Sequence, residues 1–490
     1  MSQSLGHRTL RGVVWSFVER FSSQAIGFVV ILIMARLLTP SDYGLVGMLT
    51  IFIQLGSTLC DSGTSQALIR LRDRTESDIT TVFCFNIAFG GVLYLLLWIL
   101  APHIAAYYSE PSLCGLARVT GLLIPVSSLM VVQKALLTSD MDFKTQTRAS
   151  LVAQSVSGVA GIYMAYTGLG VWSIVYYQLG AQSLLCLMLW VLRGWRPRGG
   201  FSVGSFRALF GFCSRLGVAD ILDILYRNIY LLVIGKVYRA ADLGYFTRAQ
   251  QIGGFLSANV SFIVHRVSYP SLCGVRDDMS RLQRNYMLML SVSSIFIFPI
   301  MWGITVMSRD VVELLLGQKW MYVSVLLPIL CLGFMWHHVQ SLNIQLLQIF
   351  GRGDLYLRVE IIKKIGGLCL LAVSVSYGLP AMCWSFVGAS LFSIVCNTWY
   401  SGRLFGLGLW RQLKRVGPTF IAAGVSAFAG MMVSKFGLNA WIRLIIELTV
   451  EFTLFGCWIL FYRRSDILPV YDYLCSRGKG MKHPPESRRE

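Results

Sequence analysis

The sequence predicts an all-α polytopic membrane protein with about fourteen transmembrane helices. The 490 residues are 55% hydrophobic and only 14% charged, which is too apolar for a soluble chain of this length. The apolar residues fall into runs long enough to cross a bilayer. Short basic clusters separate these runs, and most of the 43 Lys and Arg residues lie in alternate loops.

The predicted spans fix the expected topology. An even number of spans places both termini on one side, and the positive-inside rule makes that side the cytoplasm. The loops 102–113, 166–170 and 376–380 contain no Lys or Arg and are expected outside. The fourteen spans are centred near residues 24, 53, 90, 124, 158, 181, 222, 254, 296, 334, 370, 391, 425 and 451.

Composition also excludes several classes of function. The net charge of +19 is explained by basic loops next to membrane lipids, so no nucleic-acid partner is expected. No loop is long enough for a folded catalytic domain, which disfavours an enzyme. The twelve Cys and six His residues show no metal-ligand spacing, so neither a metal nor an organic cofactor is predicted.

The first span carries a polar stripe. At 100° per residue its polar positions fall within an arc of roughly 140°. An ionisable pair facing lipid would cost several kcal/mol, so this face is expected to meet other helices or a wet cavity. The stripe consists of Ser16, Glu19, Arg20, Ser23, Gln24 and Gly27.

An internal repeat divides the chain. The segment 35–44, ARLLTPSDYG, aligns with 235–244, GKVYRAADLG, at an offset of 200 residues, and weaker matches occur in the same order. Because this offset equals six spans, the two copies have the same orientation. The expected domains are two six-helix bundles, an extra helix pair and a cytoplasmic tail: 1–196, 197–407, 408–464 and 465–490.

Charged residues recur on the leading helix of the second half. That helix carries Arg215, Asp220, Asp223 and Arg227, and the last three share one face. Arg118 adds a cation in the fourth span. Charge on both leading helices favours a central cavity between the halves, and guanidinium groups there would prefer a phosphorylated or acidic substrate. The alternative is that Glu19–Arg20 and Asp223–Arg227 are ion pairs that only fix packing.

The opening RGVVWSFVERFSSQAIGFVVILIMARLLTPSDYGLVGM resembles polysaccharide flippases of the multidrug/oligosaccharidyl-lipid/polysaccharide exporter superfamily. Further similar segments are QKALLTSDMDFK (133–144), GLGVWSIV (168–175), WRPRGGFSVGSFRALFGF (195–212), DLGYFTRAQ (242–250), VSYPSLCGVRDD (267–278) and LLLGQKW (314–320). The resemblance covers residues from about 8 to 400. It implies an alternating-access carrier whose two six-helix bundles form a V around a central cavity.

The same resemblance implies a cargo and a direction. The expected substrate is a polyprenyl-diphosphate-linked oligosaccharide, moved across the bacterial inner membrane for O-antigen, capsule or exopolysaccharide synthesis. Polysaccharide polymerase machinery is a candidate partner, and Na⁺ or H⁺ is the candidate coupling ion. The turn residues Arg36, Pro40, Asp42 and Gly44 are expected to seal the periplasmic side; a helix cap and tight turn is the alternative.

These arguments define the candidate site residues. For substrate binding they are Arg20, Arg118, Arg215, Arg227 and Gln24, and for coupling or gating they are Glu19, Asp220, Asp223, Asp61, Arg36 and Asp42. Two competing functions stay open at this point. A multidrug/cation antiporter of the same superfamily should have an acidic, aromatic pore, and a membrane polysaccharide polymerase or ligase should have a long catalytic external loop.

Overall fold

The computed structural model describes residues 21–61, 63–70, 74–433 and 439–463, and these ranges contain α-helices, two short 3₁₀ turns and no β-strand. The first ten helices are α1 Phe21–Leu37, α2 Pro40–Asp61, α3 Thr64–Arg70, α4 Glu76–Tyr108, α5 Ser112–Thr120, α6 Leu123–Ser139, α7 Phe143–Tyr166, α8 Val171–Arg193, α9 Val203–Arg227 and α10 Ile229–Val237. The others are α11 Ala240–Cys273, α12 Met279–Val306, α13 Ser308–Leu315, α14 Val323–Phe334, α15 His337–Ile349, α16 Gly353–Ser374, α17 Leu379–Phe405, α18 Leu409–Val433 and α19 Ala440–Tyr462, with 3₁₀ turns at Gln318–Trp320 and Val375–Tyr377.

This architecture confirms the predicted all-α polytopic fold. Each of the fourteen predicted span centres lies inside a helix. Within the described ranges, eight helical segments are long and apolar enough to cross a membrane by themselves. Three of these segments, 40–69, 112–139 and 323–349, consist of two consecutive helices. Hydropathy finds such a segment as one span because the break does not interrupt the apolar run.

The chain forms two compact units. The first comprises residues 1–247 with 315–319, and the second comprises 248–314 with 320–490. The first unit therefore includes α9 and α10, which together correspond to the leading span of the second repeat. The sequence-based boundaries near 196 and 407 stay a prediction.

Aromatic side chains fill the core of each unit. In the first unit Phe83 of α4 packs against Trp190 and Trp195, with ring centroids 5.4 and 5.6 Å apart. In the second unit Phe298 of α12 lies 5.4 Å from both Trp336 and Phe420. Such pairs bury large apolar areas and hold long helices in register.

Equivalent helix starts support the repeat. Helix α2 begins at Pro40 and helix α11 begins at Ala240. Asp42 accepts a hydrogen bond from the backbone N–H of Thr39 at 2.9 Å, and Asp242 accepts one from the N–H of Arg239 at 3.2 Å. An acidic side chain near a helix N-terminus also interacts favourably with the helix dipole. The same local chemistry therefore starts both helices.

Candidate functional site

Glycines allow α2 and α11 to cross at their first turns, the end predicted to face outside. A Cβ atom built on Gly44 would overlap the carbonyl oxygen of Ala240. A Cβ atom built on Gly244 would overlap the carbonyl oxygen of Pro40. The contact is reciprocal between positions 200 residues apart, as expected for two parallel repeats related by a pseudo-two-fold axis. Backbone meets backbone here, so any side chain larger than hydrogen would separate the helices.

Two cations flank this crossing and contact the C-terminal ends of other helices. Arg36 Nε donates to the carbonyl oxygen of Leu315 at 3.1 Å. Lys236 Nζ donates to the carbonyl oxygen of Tyr107 and lies 4.4 Å from the centre of the Tyr107 ring. Carbonyl groups at helix C-termini carry partial negative charge and favour cations. The repeat-equivalent Arg36 and Lys236 thus make equivalent contacts.

The predicted gating residues therefore have defined local roles. Asp42 caps α2, and its Oδ2 also accepts from the Thr39 hydroxyl at 2.7 Å. Asp61 lies at the other end of α2 and accepts from the backbone N–H of Ser65 at 3.1 Å. Arg36 and Asp42 lie together at the crossing, whereas Asp61 lies a full helix away. A role in gating stays a prediction for all three.

The described part of the polar stripe, Ser23, Gln24 and Gly27, lies on α1 and contacts α7. Ser23 Oγ lies 3.0 Å from Ser150 Oγ. One turn along, the position of a Cβ on Gly27 is 3.4 Å from Gln154 Oε1. The Oε1 atoms of Gln24 and Gln154 are buried without a hydrogen-bond partner among the described residues. The stripe meets another helix, as predicted, and it brings unsatisfied amide groups into the first unit.

A polar cavity of about 300 Å³ lies among α2, α6, α7 and α8 of the first unit. Gln182 Nε2 donates to Ser127 Oγ at 3.1 Å across its wall. Among the described residues, six of the nine that line it carry an amide or hydroxyl group, three are apolar and none is charged. Such groups hydrogen-bond neutral hydroxyl-rich ligands. The lining residues are Ile53, Ser57, Leu123, Ser127, Gln154, Tyr177, Gln178, Ala181 and Gln182.

The charged residues of α9 form an ion pair. Arg227 Nε lies 2.6 Å from Asp223 Oδ2, and the two side chains are 75% and 40% exposed. Asp220 is exposed one turn earlier on the same helix. At the α9–α10 junction, Asn228 Nδ2 donates to Gln54 Oε1 of α2 at 2.8 Å. The leading helix of the second repeat is thereby tied to α2, while its charges stay accessible.

Of the other predicted substrate-binding cations, one lies on a different helix and the others have no described side chain. Arg118 lies in α5, where its guanidinium is 4.6 Å from the centre of the Trp98 ring. It is six residues beyond Ser112, where α5 begins after a predicted external loop. Glu19 and Arg20 lie outside the described residues, and Arg215 is on α9 in a stretch whose side chains are not described.

Sequence reasoning missed the glutamines of the cavity. Gln178 and Gln182 are one turn apart within an apolar run, a spacing that would have indicated a polar face. In the second unit, Glu447 and Glu451 of α19 are only 3% and 0% exposed. Both lie outside the predicted repeat.

Comparison with known proteins assigns the family. A family model described as "Polysaccharide biosynthesis protein" matches residues 33–325, more than half of the chain. The chain belongs to this family. A similar protein, the succinoglycan biosynthesis transport protein ExoT of Rhizobium meliloti, is 24% identical over 485 residues, covering 97% of this chain and 98% of ExoT. The lipopolysaccharide biosynthesis protein WzxC of Escherichia coli is 24% identical over 389 residues, covering 76% of this chain and 78% of WzxC.

Solved structures agree on the fold of this family member. An inward closed structure of the lipid II flippase MurJ has a TM-score of 0.72 and 15% identity, covering 92% of this chain and 99% of MurJ. An inward-facing MATE family multidrug transporter of the MOP superfamily has a TM-score of 0.63 and 16% identity, covering 81% and 98%. The family match confirms the predicted relation to polysaccharide biosynthesis proteins, and the two solved structures share the predicted all-α fold of many apolar helices.

Proposed function

We propose that the protein moves a polyprenyl-diphosphate-linked oligosaccharide from the cytoplasmic to the periplasmic leaflet of the bacterial inner membrane. Membership of the polysaccharide biosynthesis family, with a full-length relative named as a transport protein, carries this proposal. Both termini face the cytoplasm, and the polymerase machinery that consumes the product is the candidate partner. The movement is by alternating access coupled to Na⁺ or H⁺.

The cavity of the first unit supports a carbohydrate cargo. Hydroxyl-rich sugars lose many hydrogen bonds to water on entering a membrane, and that loss must be offset by polar groups on the protein. The side chains of Gln154, Gln178 and Gln182 offer donors and acceptors without a fixed charge. A lipophilic cation would instead call for acidic groups. The cavity is therefore the proposed contact region for part of the oligosaccharide.

The diphosphate requires cations, and the predicted arginines are retained for that role. Arg20, Arg215 and Arg227 are the proposed ligands, with Arg118 as a further candidate. The exposed ion pair of Arg227 with Asp223 supports the proposal, because a phosphate oxygen can replace an exposed carboxylate at little cost. Such an exchange would free Asp223 to take up a proton or a sodium ion, as is also proposed for Glu19 and Asp220.

The crossing of α2 and α11 supports an outward gate. Backbone contact at Gly44 and Gly244 closes the first turns of both helices together. Release to the periplasm would require these turns to separate, breaking the contacts of Arg36 and Lys236 with helix ends. The gate is thus held by contacts that are individually weak and can open reversibly.

The direct test uses proteoliposomes containing a fluorescent polyprenyl-diphosphate-linked oligosaccharide. A membrane-impermeant quencher added outside reports how much labelled lipid reaches the outer leaflet. Wild-type protein should make the inner pool accessible, and a labelled phospholipid should not move.

In cells lacking the gene, lipid-linked oligosaccharide should accumulate on the cytoplasmic leaflet while surface polysaccharide disappears. Oligosaccharide that reaches the periplasm but stays unpolymerised or unattached would refute the proposal.

A matched pair of variants tests the cavity. In Gln154→Leu, a buried amide with an unsatisfied oxygen becomes an apolar side chain of similar size, so the stability of the fold should not fall. Transport should fall, because a hydrogen-bonding group for the sugar is lost. Gln348→Leu changes an exposed glutamine on α15, outside the cavity, and should transport normally. Equal transport by both variants would contradict a role for the cavity.

A further inference from the structure

The second unit contains two buried carboxyl groups on α19, the last helix. Glu447 and Glu451 are one turn apart and are 3% and 0% exposed. Helix α19 packs against α18 and α12. Both glutamates therefore lie between packed helices rather than at the surface of the unit.

Small residues bring the neighbouring helices close to these groups. A Cβ atom on Gly303 of α12 would lie 2.7 Å from Glu451 Oε2. A Cβ atom on Gly430 of α18 would lie 2.8 Å from the carbonyl oxygen of Glu447. The carboxyl group of Glu451 thus rests directly on the backbone of α12.

The described helices packed against Glu451 carry no charged residue along the stretches that accompany it. Neither α12 from residue 285 to 306 nor α18 from residue 416 to 433 contains a charged residue. Trp302 packs against Phe420 and Phe428 of α18, with ring centroids 5.3 and 5.8 Å apart. Of the charged groups on the packed elements, only Glu447 lies within one turn of Glu451.

The one basic residue within α19, Arg443, is paired with Asp310. Arg443 is two turns before Glu451, roughly 12 Å along the helix axis. Its Nε donates to Asp310 Oδ2 at 2.7 Å, and a second guanidinium nitrogen contacts the other carboxylate oxygen. This bidentate ion pair neutralises the guanidinium group of Arg443, which is therefore not the counter-ion of Glu451.

Neither carboxyl oxygen of Glu451 has a hydrogen-bond partner among the described residues. An ionised carboxylate in this position would cost several kcal/mol more than the neutral acid, because no charge or donor compensates its burial. A hard metal cation would need several oxygen ligands at once. A proton requires only one oxygen.

We propose that Glu451 is a proton-binding site of the helix pair outside the repeat. A proton from water forms the O–H bond on Glu451, and the same bond breaks to return the proton to water when α12 and α19 move apart. Arg443, Glu447 and Glu451 share one face of α19 at four-residue spacing. Arg443 lies near the predicted external end of this face.

Infrared spectroscopy of the purified protein tests the site without any substrate. The carboxylic acid C=O stretching band should persist at neutral pH, where exposed carboxyl groups are ionised. Glu451→Gln should remove this band, whereas the matched variant Glu447→Gln should retain it. Absence of the band in the wild type, or its survival in Glu451→Gln, would overturn the proposal.

Coupling to transport rests on the proposed function and is measured separately. In proteoliposomes, an inward proton gradient should accelerate flipping by the wild type. In Glu451→Gln the rates with and without the gradient should become equal, because the site can no longer change its protonation. Stimulation that survives in Glu451→Gln, or that follows only a sodium gradient, would overturn coupling at this residue. Failure of the wild type to flip lipid would refute the transport function while leaving the infrared result intact.

Discussion

Substituting Gly44 by alanine should open the crossing of α2 and α11. The added Cβ would overlap the carbonyl oxygen of Ala240, so the helices must separate or the closed arrangement must strain. Overpacking of this kind costs about 1–3 kcal/mol. Each 1.4 kcal/mol is a tenfold change in an equilibrium constant, so the ratio of closed to open molecules should fall by a factor of roughly 5 to 150.

Thiol labelling measures this change. Thr247→Cys places a near-isosteric thiol beside the crossing, where the Thr247 side chain is 9% exposed and lies 3.4 Å from a Cβ position on Gly47. In this background, Gly44→Ala should raise the rate of labelling by an external, membrane-impermeant maleimide. The equivalent Gly244→Ala should have the same effect, because the contact is reciprocal.

Gly91→Ala is the matched control. Gly91 lies inside α4, and a Cβ atom there would meet nothing within 4 Å. Both substitutions gain the same helix propensity, about 1 kcal/mol in favour of alanine. Only the contact differs between them. Unchanged labelling in Gly44→Ala and Gly244→Ala would refute the idea that glycine at these positions keeps the crossing closed.

Three further predictions concern single residues. Asp42→Ala should lower the free energy of unfolding by about 1 kcal/mol through loss of the cap, while Asp42→Asn should retain most of it; thermal unfolding distinguishes the two. Arg227→Ala should abolish flipping yet change stability by less than about 1 kcal/mol, because its ion pair is exposed, and Arg227→Lys should restore flipping only partly. Hydrogen bonds from the backbone N–H of Arg281 and the Ser280 hydroxyl lower the pKa of Asp278 at the start of α12. Its stabilisation should be present above the unfolded pKa of about 3.9 and lost as pH falls below it, a dependence that Asp278→Asn should weaken.

The sequence alone determined the apolar segments and their order, though not the breaks that divide some of them into two helices. In a bilayer every backbone polar group must be satisfied within the segment, so a long apolar run specifies a helix wherever it occurs. The positions at which α2 and α11 begin are also set by residues close in sequence. Asp42 and Asp242 cap their helices through neighbouring backbone groups, and their offset of 200 residues revealed the repeat before any packing was known.

Tertiary structure decided which polar residues meet. The cavity is formed by residues of four separate helices, so no spacing of polar residues within one helix predicts it. The stripe of α1 correctly indicated a partner helix, but only packing identifies Gln154 of α7 as that partner. Likewise, Asp223 and Arg227 are adjacent on one face by sequence, yet their exposure follows from what lies beside α9.

The position of Glu451 shows why the sequence could not predict which face of a helix is buried against other helices. Lipid tails are as apolar as leucine, so the hydrophobic pattern of a spanning helix does not separate its lipid face from its protein face. Nothing in α19 alone says that Glu451 rests on Gly303 of α12. Its burial depends on the close approach of a second and a third helix, a property of the packed unit and not of any one segment.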